Sequence, residues 1–449
     1  MSTSFVYADP PGYATHSALD YFTTSQILID FQRGYDEIVY PPSNPDGPVL
    51  EFEFQAPKTE VGGSVVDLKN IFLKLEVQLE KHTGTAADQN AVLPIFVNNL
   101  GQSLFQNVEI LLNGTQVSTS LNLHPYKAML EADLSYDPAA KHGILCSQGY
   151  YYEPDPTQFA ATEDETKLKN GFEARREIVK TRKSWNYYFT VSDSFLLGTH
   201  NYLLPGVELR MRLTRATDQF VLLQPDEALA AKDFSIKINS ASLYVHMLEL
   251  RNQSFLSIEK GLTKRAAVYE FKETLPKSFL ISDGTSVFYK DDIFSRAPVN
   301  RITLAMVPED GFTGNYDTNP FDFTDFNLDT VRLMREGSTV GNTPLEVGKS
   351  HVRAYYTTLR NIGLEHGANG ITLEQFEHHF CLVFQLTADL QIDDNTIRPE
   401  LTGGRLAVEL KFSKPTEKPI RLLLLGERRS VVFIDRNREV IKNSKVYNG

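Results

Sequence analysis

The chain has little cysteine: its 449 residues include only Cys146 and Cys381. Two isolated cysteines are too few for a disulfide framework and too isolated for a structural zinc site. A chain with so little cysteine suits a reducing compartment. We therefore expect both residues to be buried thiols.

Long apolar runs are also missing. The longest candidate, IRLLLLGE, has the length of a strand, whereas a membrane-spanning helix needs about 20 mostly apolar residues. The first residues, MSTSFVYADPPGYATHS, have no basic region before an apolar core, so no secretion signal is expected. The sequons at Asn113 and Asn252 are accordingly expected to carry no glycan.

An excess of basic residues is absent too. The chain has 45 Lys and Arg against 57 Asp and Glu, which gives a formal net charge of −12. Proteins that coat nucleic acid as their main task carry a basic face that neutralises phosphates. The charge therefore argues against a dedicated DNA-binding protein and favours solubility before any assembly.

Motifs of the common enzyme classes do not occur. The sequence has no Gly-x-Ser-x-Gly, His-Glu-x-x-His or Cys-x-x-Cys. Gly348-Lys349-Ser350 resembles the end of a phosphate-binding loop, but that motif needs a glycine where Thr343 stands. A strand-loop-helix context is not expected there either, so nucleotide binding is not predicted.

Two short segments contain possible metal ligands. FEHHFC holds Glu377, His378, His379 and Cys381, but adjacent histidines of a strand point to opposite faces. We interpret it as the start of a strand with a buried thiol. QIDDNTIRPE, with residues 393–395, lacks calcium-loop spacing and reads as a solvated turn. We expect no catalytic, cofactor-binding or metal-binding residues, and no enzyme.

Alternating patterns dominate the rest of the chain. In IFLKLEVQLEK (71–81) apolar and polar residues alternate, as in a half-buried strand. Helix signals are few: SLNLHPYKAMLEADLSY is compatible with a short helix, and TLEQFEHH opens with a capping-box pattern. The charged segment EDETKLKNGFEARREIVKTRK is interpreted as a solvated loop or surface helix. Many short strands separated by turns indicate an all-β sandwich or barrel.

An internal repeat sharpens this prediction. VEILLNGTQV (108–117) aligns without gaps on VRLMREGSTV (331–340), and Asn113-Gly114 is a strong hairpin signal. GVELRMRL (206–213) is later matched by AVELKFS (407–413), in the same order. A duplicated domain of about 190 residues with some eight strands suits a jelly roll, in which two antiparallel sheets pack face to face.

The composition predicts four segments. Residues 1–45 are rich in proline and irregular yet hold large apolar groups, which indicates an arm that docks on its own domain or on a neighbouring subunit. A first jelly roll follows at 46–252, a polar linker at 253–265, and a second jelly roll with a C-terminal tail at 266–449.

Several ordered blocks resemble a known family, the double jelly-roll major capsid proteins of Polinton/Maverick and adintovirus-type elements, distant relatives of adenovirus hexon. The blocks are LDYF…RGYDEIVYPP…GPVLEFEF…DLKNIFLKLEV (19–77), VNNLGQSLFQNVEILLNGTQVSTSLNLHPYKAMLEADLSY (97–136), NGFEARR (170–176), NYLLPGVELRMRLTRATDQFVLL (201–223), ITLEQFEHHFCLVFQLTAD (371–389) and GGRLAVELKFSKP…IRLLLLGERRSVVFIDRNREV (403–440).

The resemblance implies a mechanical role without an active site. It implies a structural subunit of an icosahedral viral or virus-like transposon capsid, in which three chains with two rolls each form a pseudo-hexameric capsomer. Implied partners are other copies of the chain, a penton or minor capsid jelly-roll protein, and enclosed double-stranded DNA bound without sequence specificity. The implied location is the virion capsid, assembled inside the host cell.

Two other functions stay open at this point. A jelly-roll carbohydrate-binding or adhesion protein would use exposed aromatics, which GYYYEPD (149–155) is able to offer. A bicupin-like or glycosidase-type enzyme would need a His/Glu metal cluster or a pair of carboxylates. The sequence shows neither of these.

Overall fold

A computed structural model describes residues 30–60, 62–83, 93–153, 171–224, 231–341, 343–348, 351–364, 371–387 and 404–443. The strands of the first set are β1 (Phe31–Val39), β2 (Val49–Gln55), β3 (Ser64–Lys81), β4 (Ile95–Phe96), β5 (Phe105–Leu112), β6 (Thr115–Thr119), β7 (Ser184–Phe189), β8 (Glu208–Arg215), β9 (Leu222–Leu223) and β10 (Phe234–Leu250). Those of the second set are β11 (Ala267–Ile281), β12 (Val287–Lys290), β13 (Arg301–Pro308), β14 (Leu328–Arg335), β15 (Ser338–Thr339), β16 (Leu345–Glu346), β17 (Cys381–Gln385), β18 (Leu406–Phe412), β19 (Ile420–Ile434) and β20 (Val440–Asn443).

Short helices lie in the connections between strands. They are α1 (Leu100–Ser103), α2 (His124–Ser135), α3 (Pro138–His142), α4 (Gly171–Thr181), α5 (Ser194–Gly198), α6 (Asp218–Val221), α7 (Asn252–Leu262), α8 (Glu309–Thr313) and α9 (His351–Asn361). Single 3₁₀ turns lie at Ile144–Gln148, Ala231–Asp233 and Gln375–Glu377.

Both sets of strands form the same pair of antiparallel sheets. The first set gives β1-β10-β3-β7 and β2-β8-β5-β6, and the second gives β11-β19-β13-β17 and β12-β18-β14-β15. If the eight main strands of each set are numbered in chain order, both sets read 1-8-3-6 and 2-7-4-5. This is the strand order of a jelly roll, so the predicted tandem of two eight-stranded rolls is confirmed.

The alternation in the sequence explains which face of each strand is buried. In β3, Leu73, Leu75 and Val77 are completely buried, while the charged residues between them are half-buried on the other face. Fully burying one such side chain stabilises the fold by about 1.5–3 kcal/mol. The inner faces of all four main sheets contribute to one contiguous apolar core that spans both rolls.

The repeated hairpins occupy equivalent positions in the two rolls. The first is β5–β6 and the second is β14–β15, each at the same end of its sheet. Asn113-Gly114 has φ angles of 46° and 79°, and Glu336-Gly337 has 49° and 80°. Positive φ at both central residues is the type I′ geometry that matches the twist of a hairpin. The second repeat pair lies on the equivalent strands β8 and β18, but its alignment is out of register. The sequence matches Leu209 with Leu410, whereas in the sheets Leu213, which pairs with Val108, is the equivalent of Leu410, which pairs with Val331.

The two turns are also tied to the neighbouring strand in the same way. The side-chain oxygen of Asn113 accepts a hydrogen bond from the backbone N–H of Glu208 at 2.8 Å. In the second roll the side chain of Glu336 accepts one from the N–H of Arg405 at 2.7 Å. Both turn residues in addition donate their own N–H to the carbonyl of that same partner, at 3.0 Å in each case. The duplication therefore extends to individual hydrogen bonds.

The prediction of an irregular segment up to residue 45 is wrong for β1, which is an edge strand paired with β10. Only Phe31, Tyr35 and Val39 of β1 are partly buried, so the two-residue alternation that marks a strand is missing. Residues 1–29 of the predicted arm lie outside the described residues. The segment predicted as a linker contains most of helix α7, and the domain limits themselves stay a prediction.

The predicted helices occur, with one difference in burial. The short helix expected within residues 120–136 is α2, and Thr372 and Gln375 exchange the two hydrogen bonds of a capping box, at 2.8 and 3.3 Å. Helix α4 is not merely a surface helix, because Phe172, Arg175 and Val179 line a buried face. These residues are spaced three and four apart, which places them on one side of a helix.

Candidate functional site

The structure describes only part of the nucleotide-binding candidate, so the expectation that it binds no nucleotide stays a prediction. A helix, α9, does begin at His351 after the short β16, so the expectation of no such context is wrong. The Thr343 hydroxyl, however, serves the hairpin, since it accepts from the N–H of Leu333 at 3.1 Å and donates to the carbonyl of Val340 at 2.6 Å. Lys349, Ser350 and residues 393–395 lie outside the described residues.

The FEHHFC segment begins a strand with a buried thiol, as predicted. Cys381 is the first residue of β17, and burial raises the pKa of its thiol well above the ordinary range. Cys146 differs from the expectation because it is only half-buried, on a 3₁₀ turn. Both cysteines are free. In the ranges described by the structure, no three His, Cys, Asp or Glu side chains are grouped so that they could hold a metal ion.

His379 belongs to a buried cluster of charged side chains, the junction cluster, made of Asp133, Lys141, Glu153, Arg175 and His379. Their side chains are each at most 6% exposed. The first four belong to the connection between β6 and β7 of the first roll, and His379 comes just before β17 of the second roll. The cluster therefore joins the two rolls through side chains that water does not reach.

Asp133 is the centre of this cluster. Its Oδ2 lies 3.1 Å from His379 Nδ1, and its Oδ1 accepts from the hydroxyl of Tyr150 at 2.9 Å and lies 3.6 Å from Lys141 Nζ. Burial alone raises the pKa of Asp133, but the charges of His379 and Lys141 and the two hydrogen bonds lower it from 3.8 to about 2. The carboxylate is therefore ionised across the usual pH range.

Glu153 and Arg175 form the second half of the cluster. They make a buried ion pair, and Arg175 Nε also donates to the carbonyl of Phe96 at 2.7 Å. Burial raises the pKa of Glu153, and the charge of Arg175 offsets this only in part. Withdrawing each charge from water costs several kcal/mol, and the attraction between the two charges offsets this cost. Removing either side chain would leave the other as a buried charge without a partner.

The cluster is closely packed on the side of Asp133. The gap beside it, between Asp133, Thr358 and Phe376, is too small to admit water. With the polar groups turned toward each other, the arrangement binds and fixes neighbouring segments of the two rolls. Its chemistry is that of a structural ion-pair network.

Apolar contacts complete the junction between the rolls. Phe195 of α5 meets Phe271 of β11 edge-on, with ring centroids 5.3 Å apart. The hydroxyl of Tyr269, also on β11, donates to the carbonyl of Tyr202 at 3.1 Å and accepts from the N–H of Leu204 at 3.2 Å. The second roll thus satisfies backbone groups of the first.

The hairpin turn of the first roll also takes part. The side-chain N–H of Asn113 donates to the carbonyl of Arg438 at 2.6 Å, and Arg438 Nε donates to the carbonyl of Pro205 at 2.8 Å. Arg438 in addition pairs with Glu259 of α7. The sequon nitrogen is therefore engaged in a contact between the two rolls.

The tyrosines of GYYYEPD lie partly inside the molecule, which weakens the sugar-binding alternative. Tyr150 is 1% exposed and bonded to Asp133, and the hydroxyl of the half-buried Tyr152 accepts from Gln375. Residues 154 and 155 lie outside the described residues. Large exposed apolar side chains are found elsewhere, including Tyr40, Ile144, Val287, Tyr289, Val352 and Tyr356.

Sequence reasoning missed Asp133, Lys141, Glu153 and Arg175 as members of a site. Asp133 and His379 are 246 positions apart, so no local spacing connects them. The sequence of α2 places three charged residues, Lys127, Glu131 and Asp133, among apolar ones, and the structure buries Lys127 and Asp133. Charged residues are almost never fully buried unless they are paired, so this pattern predicts partners without naming them.

Comparisons with known protein sequences give a distant match but no family. No family model matches the chain. An uncharacterized protein of Caenorhabditis elegans is 20% identical over 368 residues, which are 79% of this chain and 84% of that protein. No helix among the described residues is long and apolar enough to cross a membrane.

Solved structures of viruses share the fold. A chain of the Sputnik virophage has a TM-score of 0.65 at 11% identity and covers 96% of this chain and 92% of its own. The Faustovirus major capsid protein has a TM-score of 0.52 at 10% identity, covering 93% of each chain. The mavirus major capsid protein has a TM-score of 0.50 at 11% identity, covering 100% of this chain and 97% of its own. The chain therefore has the double jelly-roll fold of these capsid proteins.

Proposed function

We propose that this protein is the structural subunit of an icosahedral viral or virus-like transposon capsid. The observation that carries the proposal is the pair of rolls with identical strand order, joined by a buried junction, in a fold shared with viral major capsid proteins. Three copies would place six similar rolls in a ring, and a closed ring satisfies every heterologous interface. Each capsomer would then fill a six-sided place in the shell.

The surface suits an assembling subunit. Edge strands β11 and β12 each pair with a single neighbour among the described strands and carry the exposed apolar residues Leu280, Val287 and Tyr289. Exposed apolar groups and open sheet edges favour contact with another chain. We assign them to contacts between copies in the capsomer.

The finer identity rests on the sequence blocks that resemble Polinton/Maverick and adintovirus-type capsid proteins. It implies a penton or minor capsid jelly-roll partner, enclosed double-stranded DNA bound without sequence specificity, and a virion location reached after assembly in the host cell. The acidic net charge of −12 agrees with a shell that does not coat DNA tightly.

Size-exclusion chromatography with light scattering, followed by electron microscopy, tests the proposal. We expect trimers of the purified full chain and hexagonal particles or shells in the images. The variant Tyr289→Asp should weaken trimers without unfolding the monomer, because the side chain is 56% exposed. A folded chain that stays monomeric at every concentration would contradict the capsid role.

Two truncations test the arm. Deleting residues 2–29 should spare trimers and impair shell assembly if this segment bridges capsomers. Deleting residues 2–45 also removes β1, which uncovers the edge of β10 and should lower the stability of the chain itself. Unchanged shell assembly by the shorter deletion would refute the bridging arm.

A further inference from the structure

We infer that the junction between the two rolls holds a structural proton: His379 is a buried imidazolium paired with Asp133, and the junction loosens when this proton is lost at higher pH. This inference concerns the folded chain and does not depend on the proposed capsid function. It makes the contact between the rolls a proton-dependent latch.

The hydrogen-bond partners of His379 require two protons on its ring. Nε2 lies 2.7 Å from the carbonyl oxygen of Glu153, and a carbonyl only accepts, so Nε2 carries a hydrogen. Nδ1 lies 3.1 Å from Asp133 Oδ2. A neutral ring with its hydrogen on Nε2 would turn the Nδ1 lone pair toward a carboxylate, which is repulsive.

The surroundings of Asp133 keep the proton on the histidine. Its other oxygen accepts from the Tyr150 hydroxyl and faces the ammonium group of Lys141, so the carboxylate is ionised. The proton between the two side chains therefore resides on His379 Nδ1. Asp133 lies on α2, Lys141 on α3, and Tyr150 just after the 3₁₀ turn that follows α3. These three segments of the first roll therefore together stabilise the charge of His379 in the second roll.

All charged and titratable groups facing the pair contribute to its pH dependence. They are Asp133 from α2, Lys141 from α3, Tyr150, Tyr152 and Glu153 from the segment before α4, Arg175 from α4, and Cys381 from β17.

Burial acts to lower the pKa of His379, but Asp133 and the two hydrogen bonds outweigh it and raise the pKa above 6.5. A raised folded-state pKa gives stability that is complete below about pH 6.5 and is lost as the pH rises through the folded value. The Asp133 contribution stays intact above pH 3.8, the ordinary value from which its pKa is lowered. The pKa of Glu153 is raised as well, so its ionisation also lowers the stability as the pH rises, beginning above pH 4.5.

Urea unfolding of the full chain between pH 5 and 9 tests the latch, with two matched variants. His246 and Asp36 form an exposed pair of the same type, with Nδ1 and Oδ1 2.7 Å apart, inside one sheet of the first roll. We expect the urea midpoint of the wild type to fall from pH 6.5 to 9, H379N to lose most of that fall, and H246N to keep it. An unchanged fall in H379N would overturn the proposal.

A measurement on the wild type decides the question if H379N does not fold. Histidine labelled with ¹³C at Cε1 reports the protonation state of each ring by NMR. We expect at least one resonance to stay in the imidazolium form at pH 7.5, about one pH unit above the ordinary histidine pKa. If every histidine resonance is neutral by pH 7.5, the latch does not exist.

Discussion

The two rolls share their strands but differ in their connections. Both have the sheet orders 1-8-3-6 and 2-7-4-5 and the same type of hairpin turn. Between the fifth and sixth strands, however, the first roll inserts α2, α3 and α4, and the second inserts the short β16 and α9. The four junction-cluster residues of the first roll all lie in that longer insertion.

This difference separates two kinds of constraint. Strand order and turn geometry repeat because both rolls must bury the same alternating pattern in the same sheet topology. Loop insertions cost little extra entropy per added residue, so they are free to diverge. In this chain the longer insertion of the first roll supplies the groups that bind the second roll. The junction therefore depends on a segment that the two rolls do not share.

The largest predicted effect is loss of the buried ion pair supplied by that insertion. Arg175→Met leaves the Glu153 carboxylate buried without its cation and removes the bond to Phe96. We expect a loss of about 3–5 kcal/mol in the free energy of unfolding, measured with urea. The double variant Arg175→Met with Glu153→Gln should recover much of this loss. A cost below about 1 kcal/mol for the single variant would show that the insertion does not hold the junction.

The next largest loss of stability is predicted for removal of the Tyr269 hydroxyl at the junction. Tyr269→Phe leaves the carbonyl of Tyr202 and the N–H of Leu204 without their partner on β11. Burying unsatisfied groups costs about 1–3 kcal/mol. Tyr289→Phe, on an exposed tyrosine of the same roll, is the control and should change stability by less than about 0.5 kcal/mol. Equal effects of the two variants would mean that the rolls are not coupled through this contact.

The two turn glycines should respond alike. Gly114 and Gly337 have φ near +80° and open space where a Cβ would lie, so Gly→Ala costs only backbone strain. The left-handed conformation costs a residue with a Cβ about 1–2 kcal/mol. We expect Gly114→Ala and Gly337→Ala to lower the thermal midpoint by similar amounts. A large difference between them would break the equivalence of the hairpins.

The sequence predicted the strands and hairpins that the two rolls share, but it did not predict β1 or the junction cluster. The hairpin prediction at Asn113-Gly114 succeeded because turn chemistry is local, and the echo at Glu336-Gly337 located the second roll. β1 was missed because its contacts are mainly backbone bonds to β10, which leave no alternation in the side chains. The pairing of Asp133 with His379 was out of reach because only the folded chain brings residues from the two rolls together.

The smallest predicted effect compares charges on the outer faces of the two rolls. Arg210 on β8 lies within 3.4 Å of Glu51, Glu53 and Glu208, whereas Lys411 on the equivalent strand β18 pairs with Glu409 at 3.2 Å.

Both cations are at least one third exposed, so each pair contributes about 0–1 kcal/mol. We expect Arg210→Gln to cost more than Lys411→Gln in urea unfolding, because one cation serves three carboxylates. Since salt screens exposed charges, the difference should shrink in 1 M NaCl, where the Debye length falls to about 3 Å. A difference that persists at high salt would mean that Arg210 acts through packing of its alkyl chain, and the outer faces of the rolls would then differ in more than charge.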